Sequence, residues 1–226
     1  MDTADCYRTV RTRMIEFAAG LSAEEAAAPV PALPAWTVRD TYAHLAGLCA
    51  DVLDGLIAGP ATDEDTAREV AQREGRGLAE LCEEWAEHAP RLDELIAGPK
   101  GYRYHLLVQD AWHHEQDVLG AFGLPQARED ATTTVVAAAV MDVYVRAWRK
   151  LELGPAVRIT TPTGDWTLGV GESGAALRAT DFDLVRMLIG RRTLSEMRAM
   201  GWTGDPGEAL LDRLHYFEPP VKELGE

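Results

Sequence analysis

The sequence predicts an α+β protein, with a helical N-terminal domain over residues 1–153 and a smaller α+β domain over residues 154–226. Three observations predict it. Apolar residues recur at helical spacing through the first domain, whereas after Pro155 they alternate. Helical segments follow one another across short connections, the pattern of a bundle. A chain of 226 residues with 46% hydrophobic content is also long and apolar enough to bury a core.

Cys6, Val10, Met14 and Phe17 recur about one turn apart and predict a first helix over residues 3–19, ended by Gly20. Residues 21–35 carry Pro29, Pro31 and Pro34, which cannot continue a helix and predict an extended linker. Thr37-Val38-Arg39-Asp40 then reads as a helix start, because a hydroxyl at the cap and a carboxylate three residues on can satisfy each other's backbone amides. That second helix is predicted to run through Tyr42, His44, Leu45, Leu48, Cys49, Val52 and Leu56 to Gly59-Pro60. Residues 63–97 predict a charge-rich third helix. Gly75 and Gly77 weaken its middle by roughly 1 kcal/mol each relative to alanine and mark a place for a break. Residues 102–122 predict a fourth helix closed by Gly123-Leu124-Pro125, and residues 131–151 a fifth closed by Gly154-Pro155.

In the second domain, Val157-Arg158-Ile159-Thr160-Thr161 and Trp166-Thr167-Leu168-Gly169-Val170 alternate around a turn at Pro162-Thr163-Gly164-Asp165, which predicts a β-hairpin. A short strand over residues 176–179 follows. A helix capped at Thr180 or Asp181 then carries Leu184, Val185, Met187, Leu188 and Ile189, and one or two further helices start from Thr193.

The formal charge of -15 repels phosphate backbones and anionic headgroups, so neither nucleic acid nor a membrane surface is an expected partner. No run approaches the ~20 apolar residues that span a bilayer, and MDTADCYRTVRTRM lacks the apolar core of a signal peptide, so a cytoplasmic location is expected. Cys6, Cys49 and Cys82 are far apart and odd in number; buried free thiols are expected rather than disulfides or a cysteine zinc site.

The chemistry concentrates around residues 105–117. Asp110, His114 and Asp117 fall at i, i+4 and i+7 of one helix face, bordered by Leu107, Ala111, Val118 and Ala121, so that face looks into the bundle. His44 sits beside Leu45, Leu48 and Cys49 and also points inward. A buried imidazole needs a partner for its ring nitrogens, either a hydrogen-bonded core residue or a metal. With a metal, His44, Asp110 and His114 would leave coordination positions open, as catalytic sites do, and the set suits Zn foremost, or Ni, Co, Fe or Mn. Glu115 and His113 each point about 100° away from His114 around the helix and are poorer ligands. Asp117 is expected either to orient a ligand or a neighbouring donor, or to serve helix packing. Trp36 either packs at the seam between the domains or stacks on a bound molecule. Arg191 either binds a substrate carboxylate or is an ordinary structural arginine.

The run Ala35-Trp36-Thr37-Val38-Arg39-Asp40 with Ala43-His44-Leu45-Ala46-Gly47 resembles the signature of the mycothiol-dependent maleylpyruvate isomerase family, within the DinB-like metalloenzymes. So do Glu115-Gln116-Asp117-Val118, Ala121-Phe122-Gly123-Leu124-Pro125 and, further on, Asp165-Trp166 and Leu188-Ile189-Gly190-Arg191. The resemblance implies a DinB-like four-helix bundle followed by a sterol-carrier-like α+β domain. It also implies a metal held by one histidine of the second helix and a Glu-x-x-x-His pair of a later one. His44 and His114 match those positions, and Asp110 departs from the pattern by one methylene. Thiol chemistry is implied with it: mycothiol or another small thiol, activated as a metal-bound thiolate, adds to a small electrophile in an S-transferase or thiol-assisted isomerase. The setting implied is actinobacterial and the protein a monomer or homodimer. Two other readings fit the residues: a metal-dependent hydrolase or lyase using bound water, and a non-catalytic module that encloses a small ligand.

Overall fold

In the computed structural model, which describes residues 1–225, helices start where side chains satisfy open backbone amides. Asp2 caps α1 (Thr3–Ala18), and Ser22 with Glu25 forms a reciprocal box on the single turn of α2 (Ala23–Ala26). The expected linker is extended, but it pairs with itself: β1 (Pro29–Val30) lies antiparallel to β2 (Leu33–Thr37). Thr37 and Asp40 close the predicted box on α3 (Val38–Leu53). That helix stops earlier than Gly59, because Gly55 takes a left-handed φ of 73° that an L side chain rarely adopts. The weak middle of the third segment is a break, dividing it into α4 (Asp63–Ala71) and α5 (Leu78–Ala97), with Gly75 at φ 79° between them. A 3-10 turn, Gly101–Tyr104, leads into α6 (His105–Ala121).

Tertiary contacts divide the chain into two units, Met1–Pro125 and the part from Gln126 onward. In the first, α1 packs on α5 and α6, α3 packs on α5 and α6, and α4 lies along α3. These four long helices bury Tyr42, Leu81, Trp85, Leu92 and Trp112 almost completely. Among these, Trp85 Nε1 donates to the Tyr7 hydroxyl at 2.8 Å, and the Tyr42 hydroxyl donates to the Met14 carbonyl at 2.7 Å. All three cysteines are buried, and none is in a disulfide. Burial pushes the Cys49 thiol up to about 12 and that of Cys82 to about 11.

In the second unit, β3 (Ala156–Thr160) and β4 (Asp165–Leu168) form the predicted hairpin, with Val157 opposite Leu168 and Thr160 opposite Asp165. Strand β5 (Ser173–Arg178) runs parallel to β3. Thr180 caps α8 (Asp181–Leu188), and α9 (Leu194–Ala199) follows. A short strand not expected from the sequence, β6 (Gly201–Thr203), adds to β5 before the final turn of helix, α10 (Glu208–Leu211). The sheet order is β4-β3-β5-β6. Helix α7 (Ala131–Lys150), expected within residues 1–153, packs on α8 and β4 and groups with this unit. Among the described residues no helix is long and apolar enough to cross a membrane.

Candidate metal centre

The capping box on α3 sets the register that turns His44 inward, two turns into the helix, toward the face of α6 that carries Asp110 and His114. His44 Nε2 lies 3.1 Å from Asp110 Oδ2, and His114 Nε2 lies 3.4 Å from Asp110 Oδ1. One ligand atom from each of the three residues falls within 4.8 Å of the others. The rings of His44 and His114 meet edge to face, 5.2 Å between centroids. Trp36, from β2, stands against both, its ring 5.0 Å from that of His44 and 5.7 Å from that of His114. The His44 side chain is 2% exposed while that of Asp110 is 32% exposed, so the cluster is walled by protein and open on its carboxylate side.

The second nitrogen of each ring also faces a carboxylate. His44 Nδ1 lies 2.6 Å from Glu69 Oε2, and His114 Nδ1 lies 3.4 Å from Asp117 Oδ2. Burial alone would lower both imidazoles, but Asp110 and Glu69 outweigh it and hold His44 up at about 9; Asp110 likewise raises His114. Burial would raise Asp110, and the two imidazoles outweigh it and hold its carboxyl far below the usual carboxylate range. Glu69 goes the other way: its burial wins over His44 and keeps its carboxyl above the ordinary value. Two imidazoles and a carboxylate at this spacing are a donor set that fits a divalent cation of the Zn, Ni, Co, Fe or Mn class.

The structure thus brings together His44, Asp110 and His114, with Trp36 beside them and Asp117 behind His114. Glu115 turns away and takes two hydrogen bonds from Arg13, at 2.6 and 2.8 Å, while the His113 ring meets that of Trp112. Arg191 is buried in the second unit, in the turn after α8, where its amide donates to the Arg186 carbonyl at 2.8 Å. Glu69 escapes a reading of the sequence, because α4 looks like a solvated face: three of its first residues are acidic. The available signal was Gly47, one turn after His44, where a Cβ would sit 2.7 Å from Glu69 Cβ.

Residues 7–148 match the family model of the mycothiol maleylpyruvate isomerase N-terminal domain. Among solved structures, the chain is similar to the mycothiol-dependent maleylpyruvate isomerase, with 14% identity, a TM-score of 0.58 and coverage of 84% of this chain and 88% of that one. It is similar also to a mutant of that enzyme in which one histidine is alanine, at 13% identity, a TM-score of 0.58, and 83% and 88% coverage. At these identities the likeness supports the fold. None of the curated proteins matches the chain.

Proposed function

We propose a function from one premise: this chain belongs to the mycothiol maleylpyruvate isomerase N-terminal domain family. In this reading His44, Asp110 and His114 hold one divalent cation, and the protein is a thiol-dependent enzyme, an S-transferase or a thiol-assisted isomerase, acting on a small electrophile. The observation that carries it is the convergence of two buried imidazoles on a carboxylate that remains one-third exposed. A cation bound there would act as a Lewis acid, favouring the deprotonated form of a small thiol, whose free pKa near 8.5 leaves it mostly protonated at neutral pH.

The chain's own residues support an external nucleophile. Cys6, Cys49 and Cys82 are buried, and burial holds the thiols of Cys49 and Cys82 protonated, so none of the three is placed to serve as the reacting thiol. Trp36 offers an apolar wall beside the imidazoles, suited to exclude water from one side of the incoming thiol.

Elemental analysis of protein purified without added metal, followed by mass spectrometry after incubation with a small thiol and a reactive alkene, tests the reading. About one equivalent of a divalent transition metal is expected, with turnover that requires the thiol. A clearly substoichiometric content of every such metal would favour the ligand-binding module. Turnover without thiol would favour the hydrolase or lyase.

A further inference from the structure

Glu69 sits where a carboxylate is costly. Its neighbours Asp63 and Glu64 on α4 are exposed, yet Glu69 is 0% exposed, and its Oε1 has no hydrogen-bond partner among the described residues. Burying an ionisable group in this way is costly unless a partner offsets it. The partner is His44 Nδ1, 2.6 Å away.

The backbone around this contact is built to permit it. Gly47 lets α4 come so close to α3 that an added Cβ would meet Glu69 Cβ at 2.7 Å, Arg73 Nη1 at 2.8 Å and Glu69 Cγ at 2.9 Å. Arg39, one turn before Ala43 and His44, donates to the Arg73 and Arg76 carbonyls in the turn that follows α4, and Arg73 pairs with Glu84 of α5. Glu69 is therefore backed by an anchored helix, whereas Asp117 stands 3.4 Å from His114 Nδ1 and belongs to the same helix as that histidine.

Resting on the metal-centre reading above, we propose that Glu69 is a positioning residue: it accepts from His44 Nδ1, fixing the tautomer and ring angle that present Nε2 to the cation beside Asp110 and His114. An imidazole can ligate through only the nitrogen that carries no proton, so a fixed acceptor at Nδ1 decides which nitrogen that is. Gly47 acts through Glu69, as the notch that admits it.

The test is zinc affinity, measured by competition with a chromophoric chelator for wild type, Glu69→Gln, Glu69→Ala, Gly47→Ala and the Gly47→Ala/Glu69→Ala double variant, with circular dichroism confirming the fold of each. Glu69→Ala should lose roughly 10- to 100-fold, and Glu69→Gln, which keeps an acceptor for Nδ1, less than tenfold. Gly47→Ala should lose affinity on its own and lose less in the Glu69→Ala background, since the carboxylate it displaces is then gone although the Cβ of residue 69 remains. In the zinc-loaded protein labelled with 15N-histidine, the slowly exchanging Nδ1 proton of His44 should persist in Glu69→Gln and vanish in Glu69→Ala. Unchanged zinc affinity in Glu69→Ala, or a fully additive double variant, would overturn the proposal while leaving the metal centre standing. Wild type that binds no zinc, nickel, cobalt, iron or manganese would overturn the metal centre and this role together. Should Glu69→Ala fail to fold, Glu69→Gln and Gly47→Ala carry the test by affinity, and wild-type values in both overturn it.

Discussion

His114 and Glu115 are neighbours on α6, yet they face two different solutions to one problem, a buried carboxylate. On the Glu115 side the answer is a guanidinium: Arg13 to Glu115 at 2.6 and 2.8 Å, and Arg11 to Asp93 at 2.8 and 2.9 Å across α1 and α5. On the His114 side the answer is imidazole, with His44 and His114 shared among Glu69, Asp110 and Asp117. Arginine stays charged at every accessible pH, so its pairs act as permanent fasteners. Imidazole, unlike guanidinium, can give up its proton within the accessible pH range, at about 9 for His44, so the carboxylates it answers are open to exchange for another cation. The step of about 100° per helical residue is what lets one helix present both faces from adjacent positions.

The comparison breaks most visibly at the metal. His114→Ala should abolish zinc binding, whereas His113→Ala, beside Trp112, should leave the affinity within a few-fold of wild type. Isothermal titration of the two variants checks this. The opposite ranking would mean that the imidazole face of α6 has been assigned to the wrong residues.

A smaller effect separates the two faces by pH in chelator-stripped protein. His44 is raised by its carboxylates from an unfolded value near 6.5 to about 9 in the folded chain, against the opposing pull of burial. A raised pKa contributes stability that is fully present below about 6.5 and is lost as pH rises through 9, on the order of 3 kcal/mol in all. The arginine pairs lose nothing across that window. Urea denaturation should therefore show the stripped protein less stable at pH 9.5 than at pH 6.5, and in His44→Gln this fall should shrink, the remainder coming from His114, which Asp110 also raises. A metal-free protein that gains stability over the same interval would remove the electrostatic basis of the contrast.

These faces were unequally legible in the sequence. The Asp110 and His114 spacing gave their shared stripe on α6 directly, because two residues one turn apart must share a side of a helix, and the apolar neighbours Leu45, Leu48 and Cys49 gave the inward direction of His44. The hairpin of β3 and β4 was equally readable from alternation and its Pro-Thr-Gly-Asp turn. What local pattern could not reveal depends on distant partners. Glu69 is buried only because Gly47, on another helix, makes room; Pro29 to Thr37 forms a paired strand rather than a bare linker only because the chain folds back on itself. Residues 201–203 are a strand only because β5 offers a free edge. Arg191 is buried in the second unit, and the motif around it says nothing of what it contacts.

The arginine face supplies the smallest test. Arg13→Ala removes both donors from Glu115, whose side chain is only 5% exposed, and leaves it the hydrogen bond from Gln116 Nε2 at 2.9 Å. A carboxylate so deprived should cost about 2 kcal/mol, less than a fully buried pair because the Arg13 side chain is itself 31% exposed and screened by water. Arg13→Lys should recover little of it, since a single ammonium cannot reproduce two parallel bonds. Zinc affinity should stay within twofold in both variants, because the guanidinium pair lies off the imidazole side of α6. Denaturation midpoints read beside chelator competition decide the matter: stability lost with affinity intact keeps the faces independent, and a tenfold loss of zinc affinity would show that Arg13 holds α6 in the register that His114 needs.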